Sequence, residues 1–184
     1  MHQPYYPFSF FQADALEYLQ KHGKEFDLIH ASPPCQGYSV TKSLHGNVYS
    51  KEIPEVRAAL IASGRPYVIE NVPGAPMINP VLLCGAMFPG LRVYRHRLFE
   101  CSFSCLAPPH PRHVTRVTEM GRRPIEGTFL SIGGHVTDPR QCCEAMGIAH
   151  CLPQREVSQA IPPAYTAFIG RSFLGSIDDT DYTV

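Results

Sequence analysis

Apolar residues come in short bursts along this chain, each closed by glycine or proline. Phe8 to Gln12 (FSFFQ) reads as a strand. Asp14 is placed to N-cap a helix from Ala15 to His22, with Leu16 and Leu19 as its apolar stripe and Gly23 as its stop. Phe26 to Ala31 is almost continuously apolar, which suits a strand buried in a parallel sheet. A polar loop follows over residues 37–47. Pro54 then opens a helix carrying Val56, Leu60 and Ile61, and Gly64 closes it. Tyr67 to Val72 reads as a third strand. This alternation predicts an α/β sheet, and in such sheets the sites lie beyond the carboxyl ends of the strands.

The second half is less regular. Leu82 to Leu98 holds short strand-like pieces, among them RVYRHRLFE, and residues 101–139 are irregular and rich in Pro, His and Arg. Asp138-Pro139 caps a short helix that ends at Gly147. Pro162-Pro163 opens a last helix with Tyr165, Phe168, Ile169 and Phe173 on one face. The acidic tail from Ser176 is expected to fray.

Composition narrows the picture. A chain of 184 residues that is 44% hydrophobic suits one domain, or one with a small appendage. Eighteen prolines favour short helices and stiff loops. The formal net charge of zero removes a global basic field, yet Arg92 to Arg123 holds seven arginines against Glu100 and Glu119. That local excess of five positive charges is expected to meet phosphate. Seven cysteines, an odd number without a signal-peptide pattern, predict reduced thiols and a cytoplasmic protein. No apolar run reaches the length of a membrane span.

The chemistry gathers at two predicted strand ends. Cys35 follows Pro33-Pro34 in SPPCQGYS, just past one strand, and Glu70-Asn71 ends the next. A thiolate nucleophile needs a rigid mount, access and surroundings that favour the anion. Two prolines fix φ in succession and supply the mount. A carboxyl at the neighbouring strand end can exchange a proton with a substrate. Arg95 and Arg97, with His96 between them, are expected on one face of a strand, where they can hold a planar, oxygen-bearing heterocycle.

In this order PPCQGYS, IENVPG and RHRLFE resemble the DNA (cytosine-5) methyltransferases, with weaker support from QADALEYL and QAIPPAYTAFIG. The resemblance runs from about Phe10 to Gly170. It implies a Rossmann-like S-adenosylmethionine-dependent methyltransferase sheet with a small target-recognition region. The domains expected are 1–100 catalytic α/β, 101–137 target recognition, and 138–184 C-terminal helices returning to the core. Cys35 is then the nucleophile at cytosine carbon-6 and Glu70 the proton donor to ring N3. Arg97 and Arg95 bind the cytosine O2, and Asn71 buttresses the Cys35 loop. Asp14, Ala15, Pro33, Ser158, Gln159, Ala160 and Ile161 are assigned to the cofactor, S-adenosyl-L-methionine. The partner implied is double-stranded DNA with a flipped cytosine, inside a bacterial or phage-infected cell.

The family normally begins with a strand and a turn of the form Asp-x-Phe-x-Gly-x-Gly that grips the methionine end of the cofactor. This sequence contains no such stretch, and the first two strands of the family's order are expected to have no counterpart in it. The expectation is a truncated enzyme with little activity alone, or one half completed by a second polypeptide. The alternative is a non-catalytic remnant that binds DNA or a partner. Val93 stands where relatives often have Gln, and Ser158-Gln159 where they often have Gly-Asn. A zinc site from Cys101, Cys105, His110 and His113 has spacing too short for an ordinary finger, so no metal is expected. Cys84, Cys142, Cys143 and Cys151 are expected to be packing residues.

Overall fold

The computed structural model describes residues 8–35, 37–38, 52–119, 121–123, 125–133 and 138–178. The expected loop 37–47 therefore lies almost wholly outside the described residues. The chain is a mixed α/β protein of two compact units, one of residues 1–80 and 98–103, the other of 81–97 and 104–184.

In the first unit, α1 (Ala15–His22) starts where Asp14 Oδ1 accepts the backbone N–H groups of Leu16 and Glu17, each at 3.0 Å. A single 3₁₀ turn, Gly23–Glu25, extends it. Strand β1 (Ile29–Ala31) pairs in parallel with β2 (Tyr67–Asn71), His30 opposite Val68. Between them runs α2 (Ile53–Ser63), with Pro54 in its first turn and Gly64 as its cap at φ 68°. β2 pairs antiparallel with β4 (Arg97–Cys101), Glu70 opposite Phe99 and Ile69 opposite Glu100.

This register sorts the side chains, because neighbours along a strand point to opposite faces. Ile69, Asn71 and Glu100 share one face. α2 covers that face, since Arg57 reaches Glu100 through Nε at 2.6 Å and Nη2 at 2.8 Å. His30, Val68, Glu70 and Phe99 share the other. Ile53, Leu60, Ile69 and Phe99 are fully buried.

Three expectations for this unit change. Phe8 to Gln12 is not a strand; Phe8, Phe10 and Phe11 are exposed, and Phe11 stacks on Tyr18 at 5.7 Å. A strand needs a hydrogen-bonded neighbour, and none of the described strands takes that place. The expected strand from Phe26 shrinks to Ile29–Ala31, with Phe26 exposed. Ile61 points to solvent, 60% exposed, because α2 buries only Ile53 and Leu60 fully.

The second unit contains β3 (Val81–Leu83) and a parallel pair, β5 (Val117–Thr118) with β6 (Phe129–Leu130). Three helices follow, α3 (Pro139–Ala145), α4 (Gln154–Gln159) and α5 (Pro163–Asp178). Asp138 caps α3 by accepting the Gln141 N–H, and Gly147 follows at φ 69°. Val93, Leu130, Cys142, Cys143, Met146 and Val157 form the core. Tyr165, Ile169 and Phe173 are buried along one face of α5, as the pattern predicts. Ser176 is still helical, so fraying does not begin there. Cys151 is exposed rather than packed. Arg95 lies outside any strand, at φ 29°, and only Arg97 enters β4. The expected alternation of two arginines on one strand face therefore does not form.

Candidate functional site

The turn after β1 is built around Cys35. Neither Pro33 nor Pro34 has an N–H, so the carbonyls carry the local hydrogen bonding. The Tyr38 N–H donates to the Cys35 carbonyl at 3.0 Å and closes the turn. Pro33 is buried, and its carbonyl accepts Asn71 Nδ2 at 2.9 Å. Asn71 is itself buried, and its Oδ1 accepts the Val72 N–H at 3.0 Å. Both ends of this amide are engaged, so the end of β2 locks the mount of the thiol. Cys35 itself is exposed and in no disulfide.

Glu70 precedes Asn71 on β2 and is only 8% exposed. Its side chain leaves the sheet on the face away from α2, beside Val68 and Phe99. A second buried acid, Glu100, occupies the opposite face and accepts three hydrogen bonds: two from Arg57 and one from the Ile78 N–H at 2.7 Å. Arg57 also donates to the Pro76 carbonyl at 2.8 Å. This cluster ties α2, β4 and the segment leaving β2 together behind Glu70 and Asn71. The hydrogen bonds to the Glu100 carboxylate raise the Arg57 guanidinium above its ordinary pKa. Cys35, Glu70 and Asn71 thus share one sheet edge in the first unit.

The remaining expected residues divide between the units. Asp14, Ala15 and Pro33 belong to the first; Arg95, Arg97, Ser158, Gln159, Ala160 and Ile161 belong to the second. Arg95 donates to the Ile132 carbonyl at 3.0 Å and to the Ser158 carbonyl at 2.9 Å. Tyr165 Oη donates to the Arg95 carbonyl at 3.0 Å. These bonds give Arg95 a structural task. Arg97 Nη1 donates to the His96 carbonyl at 2.8 Å. Of the arginines expected to meet phosphate, Arg92 reaches Glu144 at 3.3 Å, while Arg112, Arg116 and Arg123 are exposed.

One grouping escaped the sequence. Cys84, His96, His110 and His113 converge in the second unit, their ligand atoms all within 4.8 Å of one another. His110 and His113 are half of the zinc set weighed above, but their companions are not Cys101 and Cys105. Nine histidines in a chain of this length were the only hint, because Cys84 and His96 sit far from the C-x3-C spacing. No protein-family model and no curated protein matches the chain.

Proposed function

We propose that this chain is a DNA (cytosine-5) methyltransferase or its catalytic portion, its first unit forming part of a Rossmann-like methyltransferase sheet. One observation carries the reading. An exposed thiol stands on a proline turn held by Asn71, and the residue before Asn71 is a buried glutamate on the adjacent parallel strand. The order PPCQ, ENV, RHR supports it independently.

The residues support a definite sequence of bond changes. The Cys35 thiolate bonds to cytosine carbon-6, the carbon-5–carbon-6 π pair becomes a carbon-4–carbon-5 double bond, the carbon-4–N3 π pair moves onto N3, and Glu70 delivers a proton there. Carbon-5 becomes nucleophilic as an enamine. S-adenosylmethionine, when bound, supplies the methyl group that carbon-5 takes. A base removes the carbon-5 proton, the double bond returns, Cys35 leaves as thiolate, and N3 returns its proton to Glu70. Arg97 has the role of holding the cytosine O2; Arg95 is less suited, its guanidinium being committed to two carbonyls. The thiol must approach above the ring, so the target base has to leave the stack. Arg112, Arg116 and Arg123 are exposed and suit phosphate contact by the 101–137 target-recognition region.

The donor set fits the adenine end of the cofactor. Asp14 uses Oδ1 to cap α1, and its second carboxylate oxygen is an acceptor suited to an exocyclic amine. Pro33 and Ala15 would flank it. The Asp-x-Phe-x-Gly-x-Gly pattern does not occur in the sequence, so the first assay omits the donor.

DNA carrying 5-azacytosine traps an attacking thiol without methyl transfer. The expected result is a denaturation-resistant protein–DNA adduct that vanishes in Cys35→Ser. A duplex with 5-fluorocytosine and S-adenosylmethionine then reads the full reaction, with and without an added Gly-rich segment. Absence of adduct on the 5-azacytosine duplex, with DNA binding retained, overturns the catalytic reading in favour of a DNA-binding remnant.

A further inference from the structure

The geometry points to a structural zinc site in the second unit, formed by Cys84 Sγ and the ring nitrogens of His96, His110 and His113. This inference is independent of the methyl-transfer reading. Cys84 Sγ lies 3.3 Å from His113 Nε2, and His96 Nε2 lies 3.0 Å from His110 Nε2. Zinc bonds of about 2.0–2.3 Å place the donors of a tetrahedron roughly 3.3–3.8 Å apart, so the set needs only small adjustments to enclose one ion. The three imidazoles are mutual neighbours: ring centroids are 5.2 Å apart for His96 and His110, 5.0 Å for His96 and His113, and 4.9 Å for His110 and His113.

The chemistry selects the metal. One thiolate and three imidazoles form a closed, soft-to-borderline donor set without carboxylate, which suits Zn²⁺ and excludes Mg²⁺ and Ca²⁺. Four protein donors leave no open position, so the ion's task is to hold structure rather than to activate water.

The surroundings place each donor. Cys84 follows β3 and caps a 3₁₀ turn, Gly85–Met87, whose Gly85 fits so tightly that an added Cβ would lie 1.9 Å from the Val93 carbonyl oxygen. His96 sits just before β4. Tyr94 stacks on His113 at 3.6 Å, and its hydroxyl donates to the Thr115 carbonyl and accepts the Thr115 N–H. The segment LAPPHPRHV, which carries His110 and His113, has no regular secondary structure, and Leu106 and Val114 at its ends are 85% and 86% exposed. So little apolar burial does not offset the entropy of ordering that stretch, and metal binding supplies what packing does not. The ligand pattern is C-x11-H-x13-H-x2-H, with both gaps closed by tertiary structure.

The test begins with metal analysis of the full chain, purified without added zinc and dialysed against metal-free buffer. About one zinc per chain is expected. Replacement by Co²⁺ should give the visible bands of a tetrahedral centre and one thiolate-to-metal charge-transfer band. That band should disappear in Cys84→Ser and persist in Cys105→Ser. Should Cys84→Ser fail to fold, His110→Ala provides the second reading, since its side chain is exposed. Zinc affinity there should fall by more than the roughly 10–100-fold typical of lost outer-shell partners. A chain free of zinc and without a tetrahedral cobalt spectrum overturns the proposal. So does a charge-transfer band that survives Cys84→Ser, or unchanged affinity in His110→Ala.

Discussion

Replacing Arg57 by Met should destabilise the first unit severely. Arg57 and Glu100 side chains are 14% and 4% exposed, and Glu100 accepts three short hydrogen bonds, at 2.6, 2.8 and 2.7 Å. Arg57→Met removes two of these and leaves a buried carboxylate holding only the Ile78 N–H. Breaking a buried pair from one side costs about 3–5 kcal/mol. That is a large share of the roughly 5–15 kcal/mol of a typical domain. Removing both charges, as Arg57→Met with Glu100→Leu, abolishes the stranded charge. The Pro76 carbonyl loses Arg57 in either variant, and the Ile78 N–H loses Glu100 only in the double one; both residues are exposed, so water can replace these partners. The double variant should therefore be more stable than Arg57→Met. Urea unfolding followed by far-UV circular dichroism suits the measurement, since the chain has no tryptophan. Arg92→Ala is the control: its pair with Glu144 is 39% and 71% exposed and should contribute about 0–1 kcal/mol. A cost for Arg57→Met no larger than that of Arg92→Ala refutes the reasoning, as does a double variant less stable than Arg57→Met. The same clamp anchors Pro76 and Ile78, so Arg57→Met should also slow adduct formation at Cys35 if Asn71 and Glu70 depend on that anchor.

Gly85→Ala meets a backbone atom rather than a yielding side chain, so its cost should reach or exceed the upper end of the roughly 1–3 kcal/mol usual for overpacking. Thermal melting checks this, and an unchanged midpoint contradicts it. Burial first, then the Asp138 carboxylate and Cys143, push the Cys142 thiol from its ordinary 9.0 up to about 11. A raised folded pKa means its contribution is complete below pH 9.0 and is lost as pH rises through about 11. Cys142→Ala should flatten the stability–pH curve in that window, read by urea midpoints at stepped pH; an identical slope in the variant rejects the assignment.

Local signals were read correctly where their physics is local. Asp14, Pro54 with Gly64, and Asp138 with Gly147 bracket helices through bonds and torsions within a few residues. The apolar stripe of α5 needed only its own periodicity. The same reading misplaced Phe8 to Gln12, because a strand exists only with a neighbour, and it put Arg95 on a strand face that a positive φ denies it.

By itself, then, the sequence determined the helix caps, the proline mount of Cys35 and the succession of thiol, acid and arginine motifs. Tertiary structure alone decided what those groups touch. Asn71 grips Pro33 across 38 residues and Arg57 meets Glu100 across 43. Cys84 finds His113 across 29. Separations of that size carry no periodic signal, since loop closure and packing of the whole unit, not neighbouring torsions, bring such atoms together.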